Sequence, residues 1–126
     1  WNLLAQEAGE TLRQAHEAGV GIIIKEALAN GRLTARNQDP AFMPQRNLLD
    51  GAARSLDTTI DAVALAAVLA QPWVDVALSG AANVGHIKSN VESLQVSPNS
   101  WLDELLESLR EDPEEYWQTR SAFDWN

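Results

Sequence analysis

Cysteine is absent from this chain, and its absence excludes a disulfide framework and any thiolate metal centre. With nothing resembling a secretory leader either, the expected compartment is the cytoplasm. Positive charge is scarce: nine Lys and Arg stand against eighteen Asp and Glu, for a formal charge of −9 and a sequence pI of about 4.5. That is the wrong sign for gripping a phosphodiester backbone, so nucleic acid is not an expected partner. No uninterrupted apolar run approaches the roughly 20 residues of a membrane-spanning helix, and no membrane span is expected. Methionine occurs once, as Met43, and the sequence opens on Trp1; it reads as a piece of something longer.

What is present is the balance of a globular chain: 126 residues, 45% apolar and 21% charged. The charge is uneven. Nine of the eighteen acids lie between Val91 and Asn126, against Arg110 and Arg120 alone. Acids bunched on terminal helices are expected to form a solvated face, in preference to a glycosidase-like carboxylate pair drawn from Glu111, Asp112, Glu114 and Glu115.

Along the chain, Trp1-Asn2-Leu3-Leu4 reads as the end of a strand, and residues 8–18 follow as an amphipathic helix closed by Gly19. Val20-Gly21-Ile22-Ile23-Ile24 is a continuous β-branched run suited to a parallel strand buried on both faces. Residues 26–47 hold Asn30, Gly31, Asn37, Pro40 and Pro44 with little periodicity, which predicts a long loop. A short helix near residues 48–56 precedes Thr58, whose spacing to Asp61 predicts an N-cap. Ile60, Val63, Ala64, Ala67 and Val68 then recur at helical spacing, in a helix apolar on most of its circumference and ending before Pro72. Val74-Asp75-Val76-Ala77-Leu78 is the next strand; a small-residue turn leads into a helix reaching about residue 94. Residues 101–110 and 113–118 read as two acidic helices.

Strands alternating with helices call for a parallel sheet with crossover helices. Three such units cannot cover both edges of their own sheet. A (β/α)8 barrel needs about 250 residues, and three units with a helical tail match its last portion. The expected fold is therefore α/β, a partial (β/α)8 barrel of three β/α units plus C-terminal helices. Residues 1–96 would be the barrel part and 97–126 an acidic helical tail packing on it. The run Leu78-Ser79-Gly80-Ala81-Ala82-Asn83 brings small residues and backbone N–H groups to a helix start, where anions bind; tight packing alone also explains such a run.

Three motifs in order resemble the C-terminal part of the aldo-keto reductase family. They are Ile22-Ile23-Ile24-Lys25-Glu26-Ala27-Leu28-Ala29-Asn30-Gly31-Arg32-Leu33-Thr34, the helix from Ala62 to Gln71 with Pro72, and the run from Leu78 through Asn83, Val84 and Ile87 to Ser89-Asn90. Trp1-Asn2-Leu3-Leu4 is similar to the end of that family's sixth strand. The resemblance implies strands six to eight of a barrel that moves a hydride from NADP(H), or NAD(H), to a small-molecule carbonyl. It also implies that the catalytic Tyr, Lys, Asp and His lie in the other half, so no catalytic residue is named in this chain. Position by position, it assigns Gly80 and Ala81 to the adenosine side through their N–H groups, His86 to the place of an Arg that meets the 2′-phosphate, and Asn90 to the adenine. Leu28, Asn30 and Leu33 would line the pyrophosphate.

Departures from the family pattern accompany the match. Lys25 replaces an aromatic ring that stacks on the nicotinamide, and Glu26-Ala27 replaces Ser-Pro. Ser89 replaces an acid or Gln, and His86 offers a weaker, pH-dependent charge than Arg. Lys88 or Arg32 remain as cations for a phosphate. The partner would be the missing N-terminal half-barrel or, if this chain is itself the product, a second copy of it forming a non-catalytic, nucleotide-binding or self-associating half-barrel.

Lys25 at a strand end suits a Schiff-base lysine of a class I aldolase, but a lone lysine points more to a structural or cofactor-side role. His16 and His86 lie seventy positions apart with no shared carboxylates, so no metal site is expected. Tyr116, the only tyrosine, is expected to pack, and Trp101, Trp117, Phe123 and Trp125 to fasten the tail.

Overall fold

The computed structural model describes residues 1–123; Trp125 lies outside them. Among the described residues six α-helices accompany two short strands. In chain order they are α1 (Gly9–Glu17), β1 (Ile23–Ile24), α2 (Met43–Ser55), α3 (Ile60–Leu69), β2 (Val76–Ala77), α4 (Val84–Glu92), α5 (Ser100–Leu109) and α6 (Pro113–Ser121). β1 and β2 pair in parallel, Ile23 opposite Val76 and Ile24 opposite Ala77. The chain crosses from one to the other through α2 and α3, as a β–α–β connection requires.

α3 is the centre of the molecule. Residues 62–68 are all buried along with Ile60, and Asp61 in the first turn is the helix's one polar side chain. One side meets Leu3, Leu4, Leu33, Phe42, Leu49, Trp101, Leu105, Leu109 and Tyr116 in the larger core. Leu65 and Val68 turn to a smaller core with Ile22, Ile24, Ala27 and Trp73, against which Leu12 and Ala15 of α1 pack. Its cap is Thr59, whose hydroxyl accepts the Ala62 N–H at 3.2 Å, and not the expected Thr58. Asp57 takes a left-handed φ of 51° and the Thr58 N–H donates back to the Ala53 carbonyl, so Thr58 closes α2. The Asp61 carboxylate accepts instead from the Ala35 N–H.

α1 follows its periodicity and ends as expected. Gly19 has φ +87°, its N–H donates to His16, and that of Val20 to Ala15. Those bonds satisfy carbonyls that a helix end otherwise leaves bare. The long loop expected over residues 26–47 is shorter. The Asp39 carboxylate accepts the Ala41 N–H and starts a turn of 3-10 helix at Pro40–Phe42, and α2 continues from it at Met43, earlier than residue 48. Pro40 and Pro44 sit in first turns, where a missing N–H costs nothing.

Two expectations about strands are corrected. Trp1 to Leu4 is not a strand end. The Asn2 side chain accepts from the N–H groups of Leu4 and Ala5, and the Asn2 backbone N–H donates to the Ala5 carbonyl, folding the segment into a turn. Nor is the Ile22-Ile23-Ile24 strand buried on both faces. Ile22 and Ile24 are covered by the helices, whereas Ile23 is 64% exposed, and Val76 and Leu78 lie bare on the same side. The side chains of a strand alternate, and among the described residues only one face of this sheet has a layer packed on it.

The acidic tail is largely solvated: Asp103, Glu104, Glu107, Asp112, Glu114 and Glu115 are exposed. α5 lies against α2 and buries Trp101, Leu102, Leu105 and Leu109. Trp117 and Phe123 are exposed, unlike Trp101. No helix among the described residues is long and apolar enough to cross a membrane.

Candidate functional site

Because β1 and β2 run parallel as neighbours, the segments that leave their C-terminal ends emerge from one edge of the sheet. After β1 come Lys25 to Thr34. Three residues here without the freedom of glycine hold left-handed backbone: Glu26 at φ 55°, Ala29 at 48° and Asn30 at 54°. Asn tolerates that region, while each of the other two carries a cost of about 1 kcal/mol. The loop is held by its own bonds: Ala29 N–H to the Glu26 carbonyl, Gly31 and Leu33 N–H to the Leu28 carbonyl, Thr34 hydroxyl to the Gly31 carbonyl.

It is also held from outside. The Asn2 amide, 2% exposed, donates to the Glu26 carbonyl and to the Tyr116 hydroxyl, both at 3.0 Å. With the two N–H groups received by its oxygen, this buried amide has every donor and acceptor engaged. Arg120 of α6 donates to both Glu26 oxygens at 2.7 to 3.2 Å, and this guanidinium holds the Glu26 carboxyl below its usual range. Burial raises the Tyr116 hydroxyl above its ordinary value. Six residues past Glu26, Arg32 binds Glu111 through two bonds at 2.6 and 2.9 Å and lies over the rings of Phe42 and Tyr116.

Sequence reasoning passed over Asn2, Glu26 and Arg120 as a unit. The available signal was an Asn inside an apolar run, since a buried amide must find partners. The three border a cavity of about 360 Å³ with Trp1, Lys25, Tyr116 and Trp117.

The segment after β2 is more open. Gly80 has φ +62° with nothing within 4 Å of where a Cβ would stand. Among the described residues the N–H groups of Gly80 and Ala81 have no hydrogen-bond acceptor. Asn83 caps α4 by accepting the His86 N–H at 3.0 Å. The half-buried His86 ring accepts the Ala82 N–H on Nδ1 at 3.5 Å. Asn90 is buried, and its amide donates to the Ser79 carbonyl at 3.1 Å, tying the strand end to α4.

The sequence-named residues thus fall into two groups at one sheet edge. Gly80 and Ala81 lie in the turn between β2 and α4, and His86 and Asn90 on α4 itself, Asn90 tied back to the strand end through Ser79. Leu28 and Leu33 turn inward, Leu33 with no exposure at all, while Asn30 lies on the surface. Asn30 borders a groove of about 350 Å³ with Arg32, Arg36 and Phe123. Arg32, suggested above as a phosphate cation, is committed to Glu111; Arg36 is the exposed cation of the groove. Lys88 is exposed on α4. His16 contacts Asp75, its Nδ1 3.5 Å from the carboxylate that accepts the Ile22 N–H. Among the described residues no three His, Asp or Glu gather as metal ligands.

Comparison with known proteins gives these loops a context. No curated protein sequence matches the chain. Among solved structures, a thermostable aldo-keto reductase in complex with the inhibitor epalrestat is similar with a TM-score of 0.68 at 21% identity, over 86% of this chain and 37% of that one. An aldo-keto reductase from Bacillus halodurans in its apo form gives 0.66 at 22% identity, over 90% and 42%. The chain therefore spans about two fifths of these structures, and its fold is part of a (β/α)8 barrel. The model of the aldo/keto reductase family matches residues 1–103. On that match, over most of its length, the chain belongs to the aldo/keto reductase family.

Proposed function

We propose that this chain is the C-terminal part of an NAD(P)H-dependent reductase that converts small-molecule carbonyls to alcohols. It contributes the adenine and phosphate side of the cofactor site and a substrate-facing tail. Residues 1–96 act as the barrel portion and 97–126 as the tail packed on it, in a cytoplasmic protein. Members of the family generally use NAD(P)H on carbonyl compounds. The observation that carries the reading is the parallel pairing of β1 and β2, which brings the loop of Asn30 and the turn of Gly80 out of the same edge. Ligands of α/β sheets bind at such carboxyl ends.

The residues present fit a dinucleotide. Gly80 and Ala81 offer unused N–H groups beside the start of α4, where an anion is favoured by the helix dipole. Lys88 supplies positive charge for a 2′-phosphate, the His86 ring stands in the place of the Arg that meets that phosphate, and Asn90 lies one helix turn further as the adenine-side residue. Asn30, with Arg36 beside it, borders the pyrophosphate groove. Leu28 and Leu33 shape that loop from beneath, since their side chains face the core. When bound, the cofactor supplies the hydride; no catalytic residue is assigned within this chain.

Titration of tryptophan fluorescence with NADPH and NADH tests this. Saturable quenching, tighter for NADPH, is the expected outcome, together with NADPH-dependent carbonyl reduction by the intact parent. Absence of binding of either nucleotide to both this chain and the parent would end the reading.

A second reading rests on the bare apolar side chains of Ile23, Val76 and Leu78. They suit a covering partner, which is the remaining barrel strands or, for a half-barrel that stands alone, a second copy. Sedimentation of the purified chain separates them: a concentration-dependent dimer supports the second copy, and a monomer at all concentrations removes it.

A further inference from the structure

The loop after β1 combines unfavourable backbone with unusually complete outside support, and its long-range hydrogen bonds and ion pairs come from the two ends of the chain. Glu26 and Arg32 bracket the left-handed residues Ala29 and Asn30. Each bracket residue is joined to the tail by a carboxylate and guanidinium in two-pronged contact, Glu26 with Arg120 and Arg32 with Glu111. Both pairs are largely buried, their side chains between 11% and 28% exposed. Between the two tail anchors, the Tyr116 hydroxyl receives the Asn2 amide that also holds the Glu26 carbonyl. The Glu111 N–H donates to the Leu4 carbonyl at 2.9 Å. The tail is therefore registered against both the first residues and the loop, at points too specific to come from apolar contact alone.

We propose that Arg120 and Glu111 are positioning residues: through Glu26 and Arg32 the tail clamps residues 26–32 in their left-handed path, and so sets the groove in which Asn30 and Arg36 face a nucleotide. The nucleotide part rests on the function proposed above; the clamp itself does not. A two-pronged guanidinium contact fixes direction as well as distance, which is what a loop with four left-handed residues, three of them not glycine, needs from an outside anchor. Coupling is then reciprocal, so a ligand that orders the groove also tightens the tail.

Amide hydrogen exchange on the purified chain, without nucleotide, reads the clamp directly. In Arg120→Gln, the N–H groups of Ala29, Gly31 and Leu33 should exchange at least about tenfold faster while those of α3 keep their rates. Arg120→Lys, which keeps the charge but only one prong, should fall between wild type and Arg120→Gln, and Glu26→Gln should reproduce the loop effect from the other side. Unchanged loop exchange in Arg120→Gln and Glu26→Gln overturns the clamp. So does acceleration spread equally through α3, which would mean general destabilisation. NADPH titration of the same variants reads the coupling: affinity about tenfold weaker in Arg120→Gln and partly restored in Arg120→Lys supports it, and wild-type affinity in both overturns it. A wild-type chain and parent that bind no NADPH count against the nucleotide reading alone, and the clamp is then judged by exchange.

Discussion

Two segments leave the same edge of a two-stranded parallel sheet, and they are built in opposite ways. The loop after β1 is strained in its backbone but saturated with partners: a buried amide, two ion pairs and its own turns hold it from three directions. The turn after β2 has one left-handed residue, a glycine that pays no steric penalty there, and leaves the N–H groups of Gly80 and Ala81 without acceptors. Two neighbouring loops can thus serve one site by different physics. The first is pre-formed by tertiary contacts, whereas the second leaves two donors without acceptors among the described residues.

Substitutions can break this contrast. The largest effect is expected from Asn2→Ala, which leaves the buried Leu4 and Ala5 N–H groups and the Tyr116 hydroxyl without their partner. Urea unfolding should show a loss of roughly 3 kcal/mol. Glu26→Gln should cost about 1.5 kcal/mol at neutral pH, the pair being partly screened by solvent. Its sign with pH follows from the lowered carboxyl. The carboxylate's contribution is complete above the unfolded value of about 4.5, and it is lost as pH falls through the lower native value. Wild type should therefore lose stability faster than Glu26→Gln below that pH, and the two unfolding curves should converge in acid.

On the open side the effects are smaller. Gly80→Ala meets no atom, so only the left-handed backbone penalises it, by about 1 kcal/mol in thermal unfolding. A nucleotide titration should show its affinity reduced as the turn shifts. His86→Ala should change stability by less than about 0.5 kcal/mol while weakening NADPH more than NADH in parallel titrations. Equal loss for both nucleotides would remove His86 from the 2′-phosphate.

Much of the architecture was legible along the chain. α1 with its Gly19 close, α3 and α4 follow from periodicity and capping, because those signals act over a few residues. The failures share a cause. Thr58 has the right spacing for a cap, but the choice between it and Thr59 was made by how α2 ends. Trp1 to Leu4 has strand-like composition, and one Asn side chain folded it back. The site divided in the same way. Gly80, Ala81, His86 and Asn90 are close in sequence and remained together, whereas Glu26 meets Arg120 across 94 positions and Arg32 meets Glu111 across 79. No local pattern announces such a pair.

By itself the sequence determined the helices α1, α3 and α4, that its strands are parallel and joined by crossover helices, and which small-residue turn leads into α4. These follow from side-chain period, β-branching and capping, all of which are short-range. Only the tertiary structure decided that a buried Asn2 joins the first residues to the tail, and that Arg32 belongs to Glu111 and leaves Arg36 to the groove. Those outcomes depend on which distant groups arrive together, and a buried polar group is satisfied by whatever the packed chain brings within hydrogen-bond reach.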